Sequence, residues 1–208
     1  RDENYIQDLI GIDKKRKVIF YASDPSKEES QKYLTEKFLI DSFSSIDDFT
    51  LVIKTHPEDT GRVTNHAFID SLKPLNVYLI GDTQRGRKMV SKNFLTFNDF
   101  DFHAAIQSSD GFLTYSSSSI LEALALGKST GILDIFHNGY YDYLVDQKVS
   151  MQIKDEVDLN HFLINRKLSP SEESLSYLGL NEDHVGFDLG LYLKDCIELN
   201  ENKGLKNS

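Results

Sequence analysis

Two segments place reactive side chains where chemistry is easy. Lys54-Thr55-His56-Pro57-Glu58 puts an imidazole directly after an apolar run, with Pro57 barring any further strand pairing. A histidine there can donate to a phosphate oxygen or move a proton, or it can simply cap a turn. Thr114-Tyr115 is followed by Ser116, Ser117, Ser118 and Ser119, then by the helical pattern Ile120-Leu121-Glu122-Ala123. A hydroxyl-rich turn leading into a helix offers donors and a partial positive charge to an anion without glycine-rich sequence. One serine suffices for ordinary N-capping, and four exceed that need. Glu122 either closes a capping box with Ser119 or accepts the two hydroxyls of a ribose. A third segment, Gly81-Asp82-Thr83-Gln84-Arg85-Gly86-Arg87-Lys88, reads equally as a phosphate contact through Arg85, Arg87 and Lys88 or as a solvated turn.

The elements that must position these groups alternate. Residues 18–22, 49–54, 77–80, 93–97, 111–115 and 129–133 are β-prone runs, most of them continuously apolar, as in strands buried on both faces. Residues 27–43, 99–109 and 120–126 read as helices between them. Tyr33, Leu34, Phe38 and Phe43 form the expected inner side of the first, and Asn98 or Asp99 the expected cap of the second. Gly127 stands where a helix ends. This alternation predicts an α/β fold with a doubly wound, mostly parallel Rossmann-like sheet and a helical C-terminal tail. Ligands of such sheets bind outside the carboxyl ends of the strands, which is where all three segments fall. The expected organisation is a solvated lead-in or linker over 1–17, a Rossmann-like domain over 18–150, packed helices over 151–199 and a disordered tail over 200–208.

Composition narrows the function. The 208 residues carry 23 Lys plus Arg against 33 Asp plus Glu, a formal net charge of −10, which argues against a general nucleic-acid binder. One cysteine, Cys196, excludes disulfide scaffolds and cysteine zinc clusters and fits a reducing, cytoplasmic setting. No apolar run approaches the roughly 20 residues of a membrane span. No G-x-G-x-x-G, P-loop, H-E-x-x-H or G-x-S-x-G motif occurs. The remaining histidines, including His66, His103, His137, His161 and His184, are scattered and read as surface or capping residues. Asp134 reads as an acceptor or a turn residue, and Tyr140, Tyr141 and Tyr143 as packing. The chain begins at Arg1 without Met, which reads as a fragment or one domain of a longer protein.

The order and spacing of Lys54-Thr55-His56-Pro57, Tyr115-Ser116-Ser117-Ser118-Ser119 and Leu121-Glu122-Ala123-Leu124-Ala125-Leu126-Gly127-Lys128 resemble the carboxyl-terminal, donor-binding domain of GT-B glycosyltransferases. The likeness is to bacterial capsule-polysaccharide transferases and sialyltransferases with their HP and serine motifs, although Ser129 stands where proline is usual. The resemblance covers residues 18–134 and implies a transferase acting on a CMP- or UDP-linked sugar in surface-polysaccharide synthesis. It implies that Lys54, His56, Pro57 and Ser116 to Ser119 surround the nucleotide, that His56 with Ser117 and Ser118 binds its phosphate, and that Glu122 holds the ribose. His56 would assist departure of the nucleotide. No metal and no cofactor is implied; the nucleotide sugar is the substrate, a carbohydrate is the acceptor, and an amino-terminal partner domain carries the base. Peripheral placement at the inner membrane is compatible with this. UDP-GlcNAc 2-epimerases and CDP-glycerol glycerophosphotransferases share the motif type, but serines here replace the epimerase glycines.

Overall fold

The computed structural model describes residues 3–24, 29–56, 76–82, 94–97, 100–165 and 176. Seven strands form one sheet: β1 (Lys17–Ala22), β2 (Phe49–Lys54), β3 (Val77–Asp82), β4 (Phe94–Phe97), β5 (Gly111–Thr114), β6 (Thr130–Leu133) and β7 (Ser150–Ile153). Their order is β4-β3-β2-β1-β5-β6-β7, and every neighbouring pair is parallel. The chain winds one way from β1 to β4, then returns past β1 to build the other half. That reversal makes the sheet doubly wound and puts β1 at its centre.

Alternation along β1 assigns its side chains to two layers. Ile19 and Tyr21 pack with Leu39, Ile40 and Phe43 of α2 (Glu29–Phe43) and with Leu159, Phe162 and Leu163 of α6 (Glu156–Ile164). Val18, Phe20 and Ala22 face α1 (Tyr5–Ile10), α3 (Phe102–Ser108), α4 (Ser119–Ala125) and α5 (Asp142–Asp146). Phe20 meets the Phe102 ring edge-on at 5.5 Å and the Phe112 ring at 6.0 Å. Each such fully buried side chain contributes about 1.5–3 kcal/mol by leaving water. Close packing also dictates Gly131 in β6, where a Cβ would come within 2.6 Å of Leu113 Cδ2 and 2.7 Å of Ile153 Cδ1.

Several expectations change. The lead-in is not simply solvated: α1 docks on the core through Ile6, which is fully buried. β7 is an unforeseen edge strand, because Ser-Met-Gln-Ile lacks the continuous apolar run of the inner strands. On the inner side of α2, Phe43 is buried and Phe38 packs against the core as expected, but the other two residues do not. Tyr33 and Leu34 are exposed, while Lys32 and Glu36 are buried. Their charged ends lie 4.0 Å apart and Ser23 donates to Glu36 at 2.6 Å, so the polar pair occupies the inner face. The cap of α3 is neither Asn98 nor Asp99 but Asp101, whose carboxylate accepts from the Ala104 amide at 2.9 Å. Gly127 does end α4: with φ +68° it lets Gly127 N–H bond Leu124 O and Lys128 N–H bond Ala123 O, both at 2.9 Å.

Candidate functional site

The register levels the carboxyl ends of five strands. Ile80 of β3 pairs with Lys54, Lys54 with Ala22, Ala22 with Thr114, and Thr114 with Ile132. The segments that follow therefore emerge side by side: Gly81-Asp82, Thr55-His56, Ser23-Asp24, Tyr115-Ser116 and Leu133-Asp134. Strands repeat about every 4.8 Å, so His56 and Ser116 leave the sheet from strands about 10 Å apart, with Ser23-Asp24 between them. The histidine and the serine turn thus share one rim. Pro57 lies outside the described residues, as do Arg85, Arg87, Lys88, His66, His184, Cys196 and the chain beyond Asn165 apart from Ser176.

At the end of β2 the backbone keeps pairing for one more residue. Thr55 N–H donates to Ile80 O at 2.9 Å and its hydroxyl to the same oxygen at 3.2 Å, which fixes the half-buried His56 at the rim. The Lys54 ammonium turns to Thr55 O at 2.9 Å and lies 5.8 Å from the centre of the Phe100 ring.

The four serines have different partners. Ser116 donates to the Asp24 carboxylate, and its carbonyl accepts from the Tyr141 hydroxyl at 2.9 Å. Ser117 N–H donates to the buried Thr114 hydroxyl at 2.9 Å, and the Ser117 and Ser119 hydroxyls meet at 2.7 Å. Ser118 precedes α4 in the capping position, is exposed, and makes no side-chain cap bond. The first-turn amides of Ser119, Ile120 and Leu121 bond Ser117 Oγ, Ser117 O and Ser118 O. The expected donation by bare helix amides is therefore reduced, and the outward hydroxyl of Ser118 is the group best placed to meet a ligand. The capping box between Ser119 and Glu122 does not form. Glu122 Oε1 instead meets His103 Nδ1 at 2.9 Å, and because a carboxylate only accepts, the imidazole N–H donates.

Sequence reasoning foresaw Asp134 as an acceptor but not the other bonds that hold this rim. Asp24 is buried between the two candidate segments. Tyr115 donates to Gln31 Oε1 at 2.6 Å, and Asn138 donates to Gln31 Oε1 at 3.0 Å and to the Tyr115 hydroxyl. Asp134 accepts from Asn138 N–H and Gln152 Nε2, both at 2.7 Å, and so pins the loop that delivers Tyr141. Burial, followed by the nearby Tyr143 and Asp24, holds the Tyr141 hydroxyl above the ordinary tyrosine range; burial does the same to Tyr21, helped by Glu36. The available signal was positional for three of them: Asp24, Tyr115 and Asp134 follow β1, β5 and β6 within two residues at the carboxyl edge. Among the described residues, no cluster of His, Cys, Asp and Glu could hold a metal ion, and no helix is long and apolar enough to cross a membrane.

A doubly wound parallel sheet with polar groups gathered at its carboxyl rim defines a Rossmann-like domain. Comparison with solved structures narrows that class to the fold of a GT-B half-domain. The wall teichoic acid polymerase TagF superposes with a TM-score of 0.53 at 17% identity over 96% of this chain and 48% of that one. The C-terminal domain of the group 1 glycosyl transferase LpcC from Francisella tularensis gives 0.51 at 13% identity over 85% of this chain and 92% of that one. The calicheamicin glycosyltransferase CalG4 gives 0.50 at 12% identity, covering 88% and 45%. The chain thus spans about half the length of TagF and of CalG4. No protein-family profile matches it, and no curated protein does.

Proposed function

We propose that this chain is the donor-nucleotide-binding half of a transferase that moves a sugar from a CMP- or UDP-linked donor onto a carbohydrate acceptor. The assembly of a bacterial surface polysaccharide, on the cytoplasmic side of the inner membrane, is the setting that suits it. The observation that carries the reading is the level rim: His56, Asp24 and the serine turn emerge from neighbouring strands of a sheet with the GT-B half-domain fold. His56 and the Ser118 hydroxyl hold the donor phosphate, with Ser117 beside them, and Glu122 holds the ribose. As the bond to the sugar breaks, negative charge grows on the departing phosphate, and donors fixed in advance stabilise it without reorganising. The base that activates the acceptor belongs to a second domain across the cleft. The likeness to TagF favours a second reading, in which a CDP-linked donor gives up a phosphorylated polyol through the same rim.

Titration calorimetry of the chain with CMP, CDP and UDP tests both. A pyrimidine nucleotide binds, and His56→Ala or Ser118→Ala weakens it by about 1–3 kcal/mol, the cost of a hydrogen bond to a charged group. Preference for CDP over CMP and UDP selects the second reading. Absence of binding to folded protein, or undiminished binding by both variants, ends the nucleotide assignment.

A further inference from the structure

We infer that His103 is a positioning residue, which holds the Glu122 carboxylate in the orientation that tells a ribonucleotide from its 2′-deoxy counterpart. This rests on the ribose role of Glu122 proposed above and adds what fixes that side chain.

Glutamate on an open helix face is free to sample many rotamers, and a carboxylate that must meet two vicinal hydroxyls loses that freedom on binding. Here the freedom is already restricted. His103 Nδ1–H donates to Glu122 Oε1 at 2.9 Å, which limits the positions the carboxylate samples. The rival local partner, Ser119, is engaged with Ser117.

The imidazole itself starts from a fixed base. Its neighbour Phe102 packs edge-on against Phe20, Asp101 caps the helix through Ala104 N–H at 2.9 Å, and the Asp101 N–H donates to the Tyr5 hydroxyl at 2.8 Å. Both side chains of the pair stay partly open, at 41% and 36% exposure. A pair so exposed adds little to folding stability, so its loss is readable in ligand selection without unfolding the protein. Preorganisation of this kind raises affinity by removing an ordering cost before the ligand arrives.

The test is calorimetry of the 208-residue chain with CDP and UDP and with their 2′-deoxy forms, alongside thermal melts. The wild-type chain prefers the ribose forms by roughly tenfold, the worth of one hydrogen bond to a charged group. His103→Ala cuts that preference by about two- to tenfold while the melting temperature holds, as expected for one side chain no longer ordered in advance. His103→Asn, whose amide nitrogen can replace Nδ1, restores it. His103→Phe keeps the ring without the donor and repeats the loss should alanine disturb the helix. Glu122→Gln, which removes the charge, collapses the preference. If Glu122→Gln collapses it and His103→Ala and His103→Phe do not, the positioning role is overturned while the ribose role stands. If Glu122→Gln leaves it intact, both roles fall. If the folded wild-type chain binds no nucleotide, the reading of the whole rim fails, and this inference with it.

Discussion

At the carboxyl rim of the sheet, Ser116 bonds Asp24, Ser117 bonds Thr114 and Ser119, and His103 bonds Glu122. At the amino rim, Lys128 donates to Gln107 O at 2.5 Å and to Ser109 O at 2.9 Å, Arg16 bonds the Thr50 hydroxyl at 3.2 Å, Lys17 lies 5.4 Å from the centre of the Phe49 ring, and Lys14 pairs with Asp8 at 2.9 Å. Three of the four cations at residues 14–17 are thus held by neighbours at the amino end of the sheet. Among the described residues, the rim proposed to take a phosphate presents hydroxyls, His56, His103 and the single Lys54 ammonium, interleaved with carboxylates. Among the described residues, the run of cations at 14–17 and the proposed phosphate site therefore lie at opposite rims of the sheet.

Three changes break or sharpen that contrast. The largest is Ile6→Ala, which empties a fully buried site under α1. It costs about 2–5 kcal/mol of stability by urea titration and leaves nucleotide affinity unchanged. An equal loss of affinity would mean that the two rims are one coupled unit. Next, Asp24→Ala removes the acceptor of the Ser116 hydroxyl. It lowers stability by about 1–3 kcal/mol and also weakens the nucleotide, since the serine turn loses its tie to the central strand. Unchanged affinity would detach Asp24 from the site.

The smallest effect is a difference in sign with pH. Burial holds Tyr141 above its ordinary 10.0, so the unfolded chain ionises first and this contribution to stability is lost as pH climbs past 10.0. Burial lowers Lys128 below its ordinary 10.5, with Asp110 opposing, so the folded chain releases its proton first and stability is gained as pH climbs toward 10.5. Urea midpoints measured on either side of these values should show Tyr141→Phe losing less than the wild type and Lys128→Met gaining less. Equal slopes for the two variants would erase the distinction.

The inner strands were legible because residues 18–22 are apolar without interruption and 49–54 and 111–115 nearly so, a pattern that suits strands covered on both faces. The edge strand β7 and the docked helix α1 were not, since each mixes polar residues with the few apolar ones that reach the core. Candidate site residues were legible only as types at strand ends. Their partners were hidden because the bonds join distant positions: Ser116 and Asp24 are 92 residues apart, and His103 and Glu122 are 19 apart on different helices. No periodicity reports a bond of that kind. The buried face of α2 misled for a related reason, because Lys32 and Glu36 satisfy each other where apolar side chains were expected.

The central position of β1 has a consequence in time. Its pairing with β2 is comparatively local, but its pairing with β5 closes a loop of 92 residues, as the bond from Val18 N–H to the Asp110 carboxylate records. Contacts of high sequence separation are slow to form, because loop-closure entropy is lost before they reward it. A chain leaving the ribosome thus has His56 available long before Thr114 and the serines emerge, and the rim becomes whole only when that late closure occurs.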